Sequence, residues 1–117
     1  MFNPFAKSAP PLTCAEAIAK AAAGELTLLD CRELSEVQAS GTAAGAVHIP
    51  LALVPLKADP KAPDHDARLD PAKPVAVFCA MGGRAGRAAQ ALTAMGYKAH
   101  NIGGFGDWCA AGGPVTR

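Results

Sequence analysis

The sequence predicts an α/β domain with a mainly parallel central sheet of about five strands flanked by helices. Short apolar runs at 26–29 and 75–78 alternate with Ala-rich segments of helical spacing, the pattern of strand-helix-strand units. Both runs stop abruptly at polar or reactive residues, Asp30-Cys31-Arg32 and Cys79. Strands buried on both faces end that way where they reach the carboxyl edge of a parallel sheet. A length of 117 residues suits one domain with a single core.

Taken in order, residues 1–12 hold three prolines and little periodicity and are expected to form a loosely ordered lead-in, with the domain proper at 13–117. Thr13-Cys14-Ala15-Glu16 has the spacing of a capping box. Ala15, Ile18, Ala19 and Ala22 are expected on the buried face of the helix it opens, and Gly24 to stop it. A strand at 26–31 follows, then one or two helical turns at 35–40 closed by Gly41. Ala46-Val47-His48-Ile49-Pro50 reads as a second strand that Pro50 ends or places at an edge. Five prolines between 55 and 74 mark a long connection. Next come the strand at 75–78 and a helix at 84–95 with Ala85, Ala88, Ala89 and Leu92 as its stripe. A strand at 97–102 and a short helix at 105–111 close the chain.

Composition excludes several function classes. The formal net charge of +1 gives no global field for nucleic acid or a membrane surface. No run approaches the roughly 18 apolar residues of a spanning helix. The four cysteines (Cys14, Cys31, Cys79, Cys109) lack zinc-ligand spacing, and Met1-Phe2-Asn3-Pro4-Phe5 lacks the basic start of a secretory leader. Reduced thiols in a cytoplasmic setting are therefore expected, with no metal or cofactor. Charge is unevenly spread: no Asp or Glu occurs from 71 to 106, where Lys73, Arg84, Arg87 and Lys98 fall.

The chemistry concentrates in Cys79-Ala80-Met81-Gly82-Gly83-Arg84. A cysteine between a strand end and a helix start faces free N–H groups, which favour an anion and above all a thiolate. Gly82 and Gly83 allow the chain to curl close around it. Arg84 adds a fixed cation, acting as a direct charge or through hydrogen bonds that hold the loop closed. Arg87, one turn on, widens the positive field or is simply solvated.

Four segments in order then resemble the single-domain rhodaneses, a family of sulfurtransferase modules. They are Leu28-Leu29-Asp30-Cys31-Arg32-Glu33, Gly45-Ala46-Val47-His48-Ile49-Pro50, the 79–84 loop with its C-x-x-G-x-R spacing, and a closing pattern of Gly96-Tyr97, Gly103-Gly104, Trp108 and Gly112-Gly113-Pro114. The resemblance implies a rhodanese-like fold with Cys79 as nucleophile. It implies a substrate cradle of Ala80, Met81, Gly82, Gly83 and Arg84, and Asp30 and Arg32 tying that loop to its neighbouring strand. The implied substrates are a small anionic sulfur donor and a thiol, cyanide or protein acceptor. Ala80 stands where the family often has Arg or another polar residue, and Thr42-Ala43 where it often has His-Ile. Structural roles are expected for His48, Trp108 and Cys31, which would fill a buried strand position.

Two other readings remain open at this level. Related folds host cysteine phosphatases and arsenate reductases, whose loops place five residues between Cys and Arg; here four intervene, favouring a sulfur atom over a tetrahedral oxyanion. Partner-binding modules of the same fold often lose the cysteine, which this chain keeps.

Overall fold

The computed structural model describes residues 11–117, so most of the expected lead-in at 1–12 lies outside the described residues. Helix α1 (Cys14–Ala22) opens with the expected capping box: Glu16 N–H donates to Thr13 Oγ1 at 3.1 Å and Thr13 N–H to Glu16 Oε1 at 2.9 Å. Its buried face differs from the expectation. Ala17 is fully buried, with Cys14, Ile18 and Ala21 beside it, while Ala15, Ala19 and Ala22 face solvent. So many alanines make every face of the helix similar, and the phase is set by where the larger Ile18 reaches the sheet.

The remaining elements are β1 (Thr27–Asp30), α2 (Leu34–Ser40), β2 (Thr42–Ala43), β3 (Val47–His48), a 3-10 turn (Leu51–Leu53), α3 (Val54–Lys57), β4 (Val75–Cys79), α4 (Gly83–Ala94), β5 (Ala99–Gly104), α5 (Phe105–Ala110) and β6 (Val115–Thr116). The central sheet is parallel, in the order β3-β1-β4-β5. It has four strands rather than about five. β2 and β6 form a separate antiparallel pair, and at two residues each they are too short for alternation to be read in the sequence.

Both faces of the sheet are covered, as its continuous apolar strands require. One face carries Leu29, Val75 and Val77 against Ala85, Ala88 and Leu92 of α4 and Val54 of α3. The other carries Leu28, Ala76 and Phe78 against Ala17 of α1 and Trp108 of α5. The small residues of α4 let that helix lie close to the strands. The long connection before β4 is fastened by three aspartates, Asp59, Asp66 and Asp70. Each accepts the backbone N–H two residues on at 2.9 Å, turns that side-chain carboxylates favour. Leu69 and Tyr97 anchor it in the core, Tyr97 OH donating to Ala58 C=O at 2.7 Å.

This topology places the site. From β1 the chain moves outward to β3, then returns to β4 on the other side of β1. The sheet order reverses between β1 and β4, and a crevice opens beyond the carboxyl ends of strands at such a switch point. Cys79 ends β4 there, beside the end of β1.

Candidate active site

Strand β4 is buried along its whole length and delivers Cys79 to the sheet edge with only 1% of its surface exposed. The chain then reverses through Gly82, whose φ of 105° lies in the left-handed region that side chains disfavour. That reversal turns the Gly82 N–H back toward Cys79 Sγ at 2.9 Å, and the first turn of α4 brings the Ala85 N–H to 3.3 Å. Burial is the largest single influence on the Cys79 thiol and pushes its pKa up. The backbone N–H groups of Ala85, Gly82, Met81 and Arg84 together outweigh it, and the net shift is downward from 9.0. The N-terminal end of α4 adds to this preference for negative charge.

Arg84 does not point its guanidinium into this cradle. Nη1 and Nη2 donate to Glu36 Oε1 and Oε2 at 2.6 and 2.8 Å, a two-pronged pair that clamps α2 to the start of α4. The pairing holds the Glu36 carboxyl down at about 2. Of the two roles expected for Arg84, the observed side-chain contacts are those of a hydrogen-bonded clamp; its backbone N–H favours the Cys79 anion directly, and its charge interacts with Cys79 as a smaller contribution. The neighbourhood is also less basic than the acid-free stretch 71–106 suggests, because folding brings Glu36 to Arg84 and places Asp107 beside Gly104.

Asp30 and Arg32 form a buried ion pair, Nη2 to Oδ2 at 2.8 Å. Their other side-chain bonds run to Ser40, Gly41 and Thr42, at the junction of α2 and β2. The guanidinium also lies 4.5 Å from the Phe105 ring centroid. Among the described residues none of their hydrogen bonds reaches the 79–84 loop; the pair braces the α2–β2 junction instead of tying the loop to its neighbouring strand. His48 contributes structurally, its Nε2 lying 2.7 Å from Arg32 C=O. Trp108 is buried and donates to Pro114 C=O at 2.9 Å.

The loop is held by Asn101, which the sequence did not single out, and is packed against Gly104 of the Gly103-Gly104 pair. Asn101 Nδ2 donates to Gly82 C=O and Asn101 Oδ1 accepts the Gly103 N–H, both at 2.9 Å. Gly104 lies so close to Ala80 C=O that a Cβ there would overlap the oxygen. Asn101 could have been suspected as a polar residue inside a strand just before Gly103-Gly104. For Glu36 the sequence offers no signal beyond its place in the first turn of α2. At the mouth of the loop Ala80 is half-buried and Met81 is 90% exposed, so the rim is apolar while the floor is polar backbone. A cleft of about 350 Å3 lined by His48, Lys57, His65 and Arg68 opens elsewhere, by the end of β3, and does not include Cys79. The thiol and its N–H donors converge instead at the 79–84 loop. Among the described residues no cluster of His, Cys, Asp or Glu could hold a metal ion, and no helix is long and apolar enough to cross a membrane.

A parallel sheet with a cysteine held in main-chain N–H groups at its switch point defines a class of α/β proteins built around a strand-end cysteine loop. Within that class the chain belongs to the Rhodanese-like domain family, whose description matches residues 13–111. No curated protein sequence matches it. Among solved structures it is similar to a Rhodopseudomonas palustris protein of unknown function described as a possible tyrosine phosphatase, with 33% identity and a TM-score of 0.81 over 93% of this chain and 86% of that one. A rhodanese-related protein of Thermoplasma volcanium shares 27% identity with a TM-score of 0.73, covering 91% of this chain and 96% of that one. The human single-domain sulfurtransferase shares 28% identity with a TM-score of 0.67, covering 87% and 96% respectively.

Proposed function

We propose that the protein is a sulfurtransferase that moves sulfane sulfur from a thiosulfate-like or persulfide donor to a thiophilic acceptor through a Cys79 persulfide. The observation that carries this reading is the cradle itself: main-chain N–H groups from Gly82 and Ala85 within 3.3 Å of a buried sulfur, with four residues between Cys79 and Arg84. Cys79 thiolate attacks the outer sulfur of the donor; a new S–S bond forms, the donor's S–S bond breaks, and sulfite leaves when thiosulfate is the donor. The terminal sulfur of the persulfide is anionic and remains among the same N–H donors. A thiol or cyanide then attacks that terminal sulfur, and Cys79 thiolate leaves, ready for another cycle.

The likeness to a possible tyrosine phosphatase makes phosphoryl transfer the competing reading. The four residues between Cys79 and Arg84 argue against it, as does the Arg84 guanidinium turning one N–H of each terminal nitrogen to Glu36 instead of into the loop. Reduced protein incubated with thiosulfate and weighed intact separates the readings. A gain of about 32 Da that is absent in Cys79→Ser is expected. Turnover of an aryl phosphate without that gain would overturn the sulfurtransferase reading.

A further inference from the structure

Cys31 is fully buried and has no part in the cycle above. Its place in the sheet gives it one. β1 and β4 run in register, Leu29 opposite Val77 and Asp30 opposite Phe78. The ladder continues past the end of β1, where Cys31 N–H donates to Phe78 C=O at 3.1 Å. Carried one residue beyond its last pair, Asp30 opposite Phe78, the same register sets Cys31 beside Cys79. Side chains alternate between the faces of a strand, and Leu29, Cys31, Val77 and Cys79 all lie in one core cluster while Phe78 lies in the other. The two thiols therefore stand on the same face of neighbouring strands. Such strands are about 4.8 Å apart, within the Cα separation that a disulfide spans.

Electrostatics agrees with this proximity. The Cys31 thiol is pushed up to about 12, first by burial and next by the charge of Cys79. Burial thus holds one sulfur as a protonated thiol, while the loop N–H groups pull the thiol beside it the other way, downward from its usual range. The other cysteines are placed differently: Cys14 Sγ donates to Ile102 C=O at 3.2 Å on the opposite core face, and Cys109 is exposed on α5.

We propose that Cys31 is the resolving thiol of Cys79, closing an intrachain disulfide when a hydroperoxide oxidises the nucleophile. Cys79 thiolate attacks a peroxide oxygen, the O–O bond breaks, and the other oxygen leaves as hydroxide or alkoxide and takes up a proton. The sulfur, oxidised by two electrons, becomes a sulfenic acid. Cys31 sulfur then attacks Cys79 sulfur, the S–O bond breaks, and the Cys31 proton leaves with the hydroxyl as water. An external dithiol reverses the bond by exchange. The disulfide draws Cys79 Sγ toward β1 and away from the Gly82 and Ala85 N–H groups. The nucleophile is then protected from irreversible oxidation and is silent until reduced. Nothing in this step requires sulfur transfer, so it stands or falls separately from that reading.

The test begins with reduced protein, freed of reductant and of any sulfur donor, exposed to hydrogen peroxide, alkylated and mapped by mass. The expected product is a linked pair of peptides carrying Cys31 and Cys79, restored to free thiols by dithiothreitol. In Cys31→Val the same treatment is expected to carry Cys79 to the sulfinic acid, beyond rescue by dithiothreitol, roughly tenfold faster than in the native protein. A native map with Cys79 sulfinic and Cys31 free overturns the proposal, as does Cys79 linked to Cys14, Cys109 or a second chain. The native map decides the matter even where the variant fails to fold.

Discussion

Replacing Glu36 with glutamine removes one charge from the clamp while keeping its shape. In the structure the pair is two-pronged at 2.6 and 2.8 Å, with each side chain about 33% exposed. Pairing lowers the Glu36 carboxyl from 4.5 to about 2, which without solvent screening corresponds to about 3 kcal/mol. At this degree of exposure water and salt screen much of it, and about 1 kcal/mol is the expected loss in Glu36→Gln. The sign follows from linkage: a carboxyl held low when folded contributes fully above its unfolded pKa and loses that contribution as pH falls toward the folded value. The difference in stability between native protein and Glu36→Gln should therefore be constant above about pH 5 and shrink between pH 4.5 and 2. Urea unfolding of both proteins at several pH values reads this directly, with sulfur loading by intact mass as a second measurement. Loading should slow in the variant, because Arg84 opens the helix whose N–H groups hold the sulfur. Equal stabilities at neutral pH, or a difference that persists unchanged at pH 3, would refute the clamp.

Three other outcomes are expected. Gly104→Ala should cost about 3 kcal/mol in a thermal or urea melt, because the new Cβ overlaps Ala80 C=O and the backbone of β5 or the loop must move; a loss below 1 kcal/mol would show that the contact relaxes freely. Asn101→Ala removes two hydrogen bonds from an exposed side chain, so stability should fall by about 1 kcal/mol while sulfur loading slows about tenfold; unchanged loading would mean that Gly82 keeps its conformation unaided. The ultraviolet thiolate band should contain a component with a midpoint below 9 that is lost in Cys79→Ser while the other thiols still contribute, with Cys31 titrating only at about 12; loading should rise with pH and level off once Cys79 is ionised. A Cys79 midpoint above 9 would show that burial outweighs the N–H groups.

What the sequence revealed and concealed follows from the range of the interactions. The strand at 75–78, the loop and the helix after it are continuous in the chain, and local patterns specify them: β-branched residues, two glycines, then a helical stripe. Cys79 was legible for the same reason. Glu36 was not, because its partner is 48 residues away and nothing in the spacing of either residue records the other. Arg84 consequently read as a fixed cation, a direct charge or a hydrogen-bonding clamp, with no partner named, and the partner is Glu36. Asp30 and Arg32 were correctly singled out as residues of a strand end, but their bonds to Ser40, Gly41 and Thr42 depend on where α2 terminates. The β2–β6 pair was invisible because two residues carry no period. The phase of α1 was misread because alanine distinguishes its faces weakly.

The groups that steady the sulfur are amides of the main chain, and an exchange of side chains does not delete an amide. Ala80 and Met81 can change identity while the donors beneath them stay where Gly82 and α4 put them. Under the proposed sulfur transfer, the groups that hold the sulfur and the side chains that would meet a donor or acceptor lie on separate layers of one short loop. For the same reason, a library randomised at positions 80 and 81 is expected to keep the N–H cradle of Cys79, which sulfur loading by intact mass would check across its members.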